Sequence, residues 1–137
     1  MAWDQKWDLK HGTGVKGETH IEFHQSGQVR FKGHIHTGGE LEENYSVACA
    51  LRDNSGKAYT LTHRGKVHGT LSPGSRNSDW DLMKQHNDVA RHWAHIVDSD
   101  KMHCRVEAKW GVEETLKDVI GAVEKYGPIV GEVVALF

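Results

Sequence analysis

Residues 18–36 read ETHIEFHQSGQVRFKGHIH. Ile21 and Phe23 alternate with His20, Glu22 and His24; after Gln25-Ser26-Gly27, Val29, Phe31, Gly33 and Ile35 alternate with Arg30, Lys32, His34 and His36. A period of two with one apolar face predicts a half-buried strand on either side of the break. A three-residue loop with Gly27 in third place, where φ > 0 is needed, closes a hairpin and sets its register. Phe23 then faces Val29 and Ile21 faces Phe31, while Glu22 meets Arg30, His20 meets Lys32 and Glu18 meets His34. A slip of one residue would set Phe23 against Arg30, so the pattern specifies one pairing.

The device recurs at residues 45–63, YSVACALRDNSGKAYTLTH, with Asn54-Ser55-Gly56 as the loop. Leu51 is expected opposite Tyr59 and Cys49 opposite Leu61. The other face carries Ala48, Ala50, Ala58 and Thr60, small enough for another element to cover, which predicts a more central hairpin. Residues 3–9 alternate as Trp3, Gln5, Trp7 and Leu9 against Asp4, Lys6 and Asp8, a first strand whose tryptophans tie that end to the body of the fold. Residues 11–17, with three glycines, and the acidic connector at 37–44 read as loops, and residues 66–71 as a short strand.

Beyond the break at residues 72–78 the period changes. Ser78 is a plausible N-cap, Asp79 and Asp81 suit a first helical turn, and Leu82, His86, Val89, Trp93 and Ile96 recur at steps of four and three. That predicts a helix over 79–97, with His86 partly buried and hydrogen-bonded. From Met102 to Trp110 apolar and polar residues alternate strictly, as in a strand with one wet face. Leu116, Val119, Ile120 and Val123 then return to helical spacing. After Gly127-Pro128 the closing apolar run fits a short helix, the preferred reading, or a final strand favoured by its β-branched residues. The expected architecture is mainly β: an antiparallel β-sandwich or curled sheet of six to seven strands in one domain, 1–137. It has one helix near 79–97 and a C-terminal helical segment. A mixed α+β sheet with both helices on one face is the alternative.

The 137 residues carry a net charge of −2 with histidine neutral, and no run of Lys or Arg marks a general nucleic-acid binder. Eleven histidines, fully charged, would take that to +9, a change of sign between neutral and mildly acid pH. Cys49 and Cys104 fall on apolar strand faces and read as reduced, buried thiols, with an inter-strand disulfide as the alternative. The opening residues show no signal-peptide layout; a cytoplasmic protein is expected, or a mature secreted domain.

Chemistry-bearing residues concentrate on the first hairpin. Residues two apart on a strand are spaced so that an H-x-H pair can share a metal if a third ligand arrives. Glu18, His34 and His36 are the candidate ligand or metal site, with Zn²⁺ or Ni²⁺ as the fitting ions. Arg30 and Lys32 on the same face repel a cation, and Glu22 with Arg30 reads as an ordinary ion pair, so a solvated or partner-binding face is expected and no cofactor. Asp88, His92 and His95 form a second candidate set at helical spacing, read chiefly as a wet helix face. Ile129, Val130, Val133, Val134 and Phe137 pack on their own domain, form a subunit interface or meet a membrane surface, in that order of preference. No nucleophile motif or phosphate loop is present, and neither cysteine has the electropositive setting of a reactive thiol.

These features point to a non-catalytic binding or protein-interaction domain working through a sheet face and loops, with a protein or small-ligand partner or a second copy of itself as the expected occupant. The rivals are a metal-binding protein or metal-dependent enzyme using the histidine faces, and a membrane-active, toxin-like protein using the C-terminal run.

Overall fold

The computed structural model describes residues 1–8, 15–37, 43–68, 74, 77–108 and 111–137. Its elements in order are β1 (Ala2–Asp8), β2 (Val15–Phe23), β3 (Gln28–Thr37), β4 (Glu43–Arg52), β5 (Ala58–Val67), β6 (Asn77–Gln85), α1 (Asn87–Arg91), α2 (Trp93–Ile96), β7 (Lys101–Ala108), α3 (Val112–Glu124) and β8 (Val134–Ala135). The strands form two four-stranded sheets, β1-β2-β3-β6 and β7-β4-β5-β8, which do not close into a barrel. The chain is mainly β, as its alternation predicts.

Both hairpins take the predicted registers. Phe23 lies opposite Val29, Glu18 opposite His34, Leu51 opposite Tyr59 and Cys49 opposite Leu61. Gly27 and Gly56 each have φ of 95°, the left-handed conformation their loops require. The inward faces make one core: Ile21, Phe23, Val29, Phe31 and Ile35 of the first sheet meet Tyr45, Val47, Leu51, Tyr59 and Leu61 of the second, all buried. The Phe23 and Tyr59 rings meet edge-on with centroids 6.5 Å apart, which joins the two layers. Trp3 packs edge-on against Phe23 at 5.3 Å and anchors β1 to the core.

The small outward residues of the second sheet are covered as expected. Ala48 and Ala50 pack under Val119 and Val123 of α3, with Leu116 and Ile129 at the margin. Thr115 bonds Ser46 across that interface at 2.5 Å, and Asp118 meets Arg105 of β7 at 2.8 Å. The outer face of β7 is therefore partly roofed by α3, where strict alternation suggested open water.

Residues 77–85 correct the helix expected over 79–97: they form an edge strand antiparallel to β3, and helix begins only at Asn87. The segment also alternates, Ser78 and Trp80 against Asn77, Asp79, Asp81 and Met83. Trp80, which lies off the helical stripe, is buried on the core side across Gly33. A Cβ on Gly33 would overlap the Trp80 ring. Pairing with β3 satisfies the backbone groups that a bare β3 edge would leave open, and that tertiary demand outweighs a helical pattern of moderate strength. His86 is half-buried as predicted, its Nε2 3.0 Å from the Leu136 carbonyl oxygen.

Two further expectations change. Cys49 and Cys104 are cross-strand neighbours on β4 and β7 and form a disulfide, not reduced thiols. The chain after Gly127, where a helix from Pro128 was preferred, is extended and ends in β8, parallel to β5. Gly127 and Gly131 both take positive φ and break any helix. The tail is bonded into the fold: the Leu136 N–H donates to the Thr60 carbonyl at 2.8 Å, and the Thr62 hydroxyl to that of Phe137 at 2.8 Å. Lys66 and Val67 belong to the end of β5; the rest of the strand expected at 66–71, apart from His68, lies outside the described residues, as do most of the loops at 11–17 and 37–44.

Candidate functional site

Among the described residues, no helix covers the outer face of the first sheet. Antiparallel pairing stacks its outward residues in rows across the strands. Asp4, His20, Lys32 and Asp81 form one row, and Glu18, His34 and Asp79 the next. Ala2, Glu22, Arg30 and Met83 flank them on one side, and Lys16, His36 and Asn77 on the other. Every one of these described side chains is exposed or half-exposed. Gln5, Thr19, Gly33 and Trp80 form the row between the two central ones, so their side chains do not stand on this face. A shallow concavity of about 620 Å³ lies there, between His20 and Lys32 on one side and Glu18, His34 and Asp79 on the other.

Acids and bases alternate over this face and mostly satisfy one another. Arg30 holds Asp81 through two hydrogen bonds, of 2.9 and 2.6 Å. This corrects the expected pairing of Arg30 with Glu22, because the acidic edge strand β6 stands beside β3 on its other side. Glu22 instead accepts from His20 Nε2 at 2.9 Å and faces His24 Nε2 at 3.4 Å. His20 Nδ1 bonds Asp4 of β1. Flanked by Asp4 first and Glu22 second, the His20 imidazole is raised above the ordinary histidine value, against the opposing effect of its partial burial. Glu22 is correspondingly lowered by its bond from His20, and Asp81 by Arg30.

Of the first candidate set, His34 Nδ1 bonds Asp79 at 2.5 Å and His36 Nδ1 bonds Asn77 at 2.8 Å, so both rings turn toward β6. Glu18 lies beside them in register with His34, and no hydrogen bond or ion pair joins the three into one site. Among the described residues no three His, Cys, Asp or Glu side chains form a ready metal-binding group. Glu18 and Lys32 both line the concavity, and Lys32, after Arg30, helps to lower the Asp81 carboxyl.

The second set is dispersed. Asp88 pairs with Arg91, and the helix breaks at His92 between α1 and α2. His95 is exposed, on the far side of that break. In the C-terminal set, Ile129, Val134 and Phe137 pack partly onto the body of the protein, whereas Val130 and Val133 point outward at 60% and 39% exposure. No described helix is long and apolar enough to cross a membrane.

Sequence reasoning alone omits Asp4, Asp79 and Asp81 from the site. The two β6 residues carry a usable signal: carboxylates flanking a single tryptophan, D-W-D, place both acids on one face of a strand and the ring on the other. No protein-family model matches this sequence, and neither curated proteins nor solved structures provide a match.

Proposed function

We propose that the protein is a non-catalytic binding domain that takes its partner on the outer face of the first sheet. The observation that carries this reading is the contrast between the two sheets: α3 roofs the small residues of the second, whereas the first presents four rows of charged and imidazole side chains outward. Such a face meets a polar, hydrogen-bond-rich surface well, because its fixed pairs set a charge pattern without leaving buried charge unpaired. Glu18 and Lys32, which line the concavity, are the groups placed to engage it.

Affinity capture with the tag-free chain tests this, using the Glu18→Lys/Lys32→Glu double variant and a control altered on α3, Lys117→Ala/Glu124→Ala. A partner held by the wild type and the control but lost by the face variant supports the reading. Equal retention by the face variant, or no partner for the wild type, contradicts it.

A further inference from the structure

The first half of β6 is tied to the second sheet by a small cluster of rings and hydroxyls. The His63 ring of β5 stacks on Trp80 of β6, with centroids 4.4 Å apart and planes 18° from parallel. His63 Nε2 lies 3.2 Å from the Tyr45 hydroxyl of β4, which lies 2.6 Å from the Ser78 hydroxyl of β6. Tyr45 and Trp80 are buried, and His63 is half-buried against them. On the opposite face of the same half-strand stand Asp79, bonded to His34, and Asp81, bonded to Arg30. The second half is anchored elsewhere. The Gln85 amide donates to the Ser26 carbonyl, the His86 N–H donates to that of Gly27, and His86 Nε2 lies 3.0 Å from the Leu136 carbonyl oxygen. Residues 77–81 thus have His63 under one face and the carboxylates of the candidate site on the other.

We infer that His63 is a proton-operated latch: charging it frees residues 77–81 from the second sheet and so withdraws Asp79 and Asp81 from the outer face of the first. The surroundings of the ring accept it neutral. From β4 it meets the Tyr45 hydroxyl, and from β6 it meets Trp80, with Ser78 one hydroxyl further on. Phe31 and Gly33 of β3 lie against Trp80 and bring no charge. Asp79 on β6 and Arg64 on β5 stand on the outward faces of their strands. On the tail, the Phe137 carboxyl is held by the Thr62 N–H and hydroxyl, one residue along β5. The Lys84 ammonium of β6 lies over the Phe137 ring. The Trp80 face offsets part of the cost of a charged imidazole there, whereas water offsets it fully once the strand lifts. Burial accordingly holds His63 below the ordinary histidine value of 6.5.

The strand that yields is β6. β5 is paired on both sides, by β4 and β8, whereas among the described residues β6 is an edge strand paired with β3 alone. The open state takes up a proton that the closed state disfavours. Opening therefore gains as pH falls below 6.5 toward the lowered native value, by at most about tenfold per pH unit for one proton. Control of partner binding by this latch rests on the reading given above; release of the strand does not, and is measured on the chain alone.

The experiment is amide hydrogen exchange of the full isotope-labelled chain, followed by NMR at pH 7.0 and 5.0 and corrected for the intrinsic rate at each pH. Protection across residues 77–81 should fall on the order of tenfold at pH 5.0, while that of the β4–β5 pairing stays within about twofold. His63→Phe keeps the stack, His63→Gln keeps an acceptor for Tyr45, and neither titrates, so both should hold protection level between the two pH values. His20→Asn should retain the fall. Thermal melts at pH 7.0 confirm that each variant is folded. Protection of residues 77–81 that does not change with pH in the wild type, a fall that survives in both His63 variants, or an equal fall across β4 and β5 overturns the proposal.

Discussion

Two histidines of this protein respond to pH in opposite senses, and their surroundings explain why. His20 sits between carboxylates and is raised; His63 is lowered because burial between the sheets disfavours its charge. The contribution of His20 to stability is full below the ordinary value of 6.5 and is lost as pH rises through its raised native value. That of His63 is present above 6.5 and is lost as pH falls through its lowered native value. His63 stacks on Trp80 at 4.4 Å between centroids, and its Nε2 lies 3.2 Å from the Tyr45 hydroxyl, which also meets Ser78 at 2.6 Å. In His63→Phe the stacking survives and the titration does not, so chemical melts from pH 7.5 down to 5 should lose less stability than those of the wild type. In His20→Asn the loss seen on raising pH from 6.5 to 8.5 should shrink. Parallel pH profiles in wild type and variants would refute both assignments.

Gly33 is the other residue with a clear physical role, since the Trp80 ring occupies the space that a side chain would need. Gly33→Ala should lower stability by about 1–3 kcal/mol through overpacking, read as a drop in the urea midpoint. An unchanged midpoint would mean that Trp80 lies elsewhere.

At the scale of elements, what was legible depended on whether local pattern and tertiary demand agreed. The β2–β3 and β4–β5 hairpins were legible because alternation, loop glycine and core face all select one register. The strand from Met102 and the helix through Val119 and Val123 were legible for the same reason. Residues 77–85 were not, because the spacing of Leu82, His86 and Val89 fits a helix and only the need of β3 for a neighbour selects the strand. The tail after Pro128 was undecided locally, since its β-branched residues serve either state; pairing with β5 selects the extended one. The candidate site followed the same division: its β2 and β3 residues were read from sequence, whereas its acidic rim on β1 and β6 depended on pairings between distant segments.

The disulfide could not be read from two isolated cysteines, because it depends on β7 lying beside β4 in the register that sets Cys104 against Cys49. It spans 55 residues of chain, and Cys49→Ser/Cys104→Ser should lose about 2–4 kcal/mol relative to the oxidised wild type. An intact mass two hydrogen atoms below the fully reduced value checks the bond itself; free thiols in protein purified without reductant would contradict it. Removal of residues 128–137 strips the buried Leu136 and the partners of Thr60 and Thr62, so the truncated chain should melt well below the full one. An equal melting temperature would show the tail to be dispensable.

As a whole molecule the protein is two sheets sharing one core, and among the described residues the long helix α3 roofs the outer face of the second sheet. The first sheet's outer face then carries the reading offered for it, partner binding at the concavity lined by Glu18 and Lys32. It depends on how the face is assembled, because the acids that order its bases come from the two edge strands. Asp4 arrives with β1, and Asp79 and Asp81 with β6. Were residues 77–85 helical, Arg30 and His34 would lose their carboxylates and the charge pattern would dissolve. The most direct test is therefore nuclear Overhauser spectroscopy of the isotope-labelled chain across β3 and β6. Cross-strand contacts joining Phe31 to Leu82, Gly33 to Trp80 and Ile35 to Ser78 are predicted by the pairing. Contacts between residues three apart along 79–85, with none to β3, would contradict it.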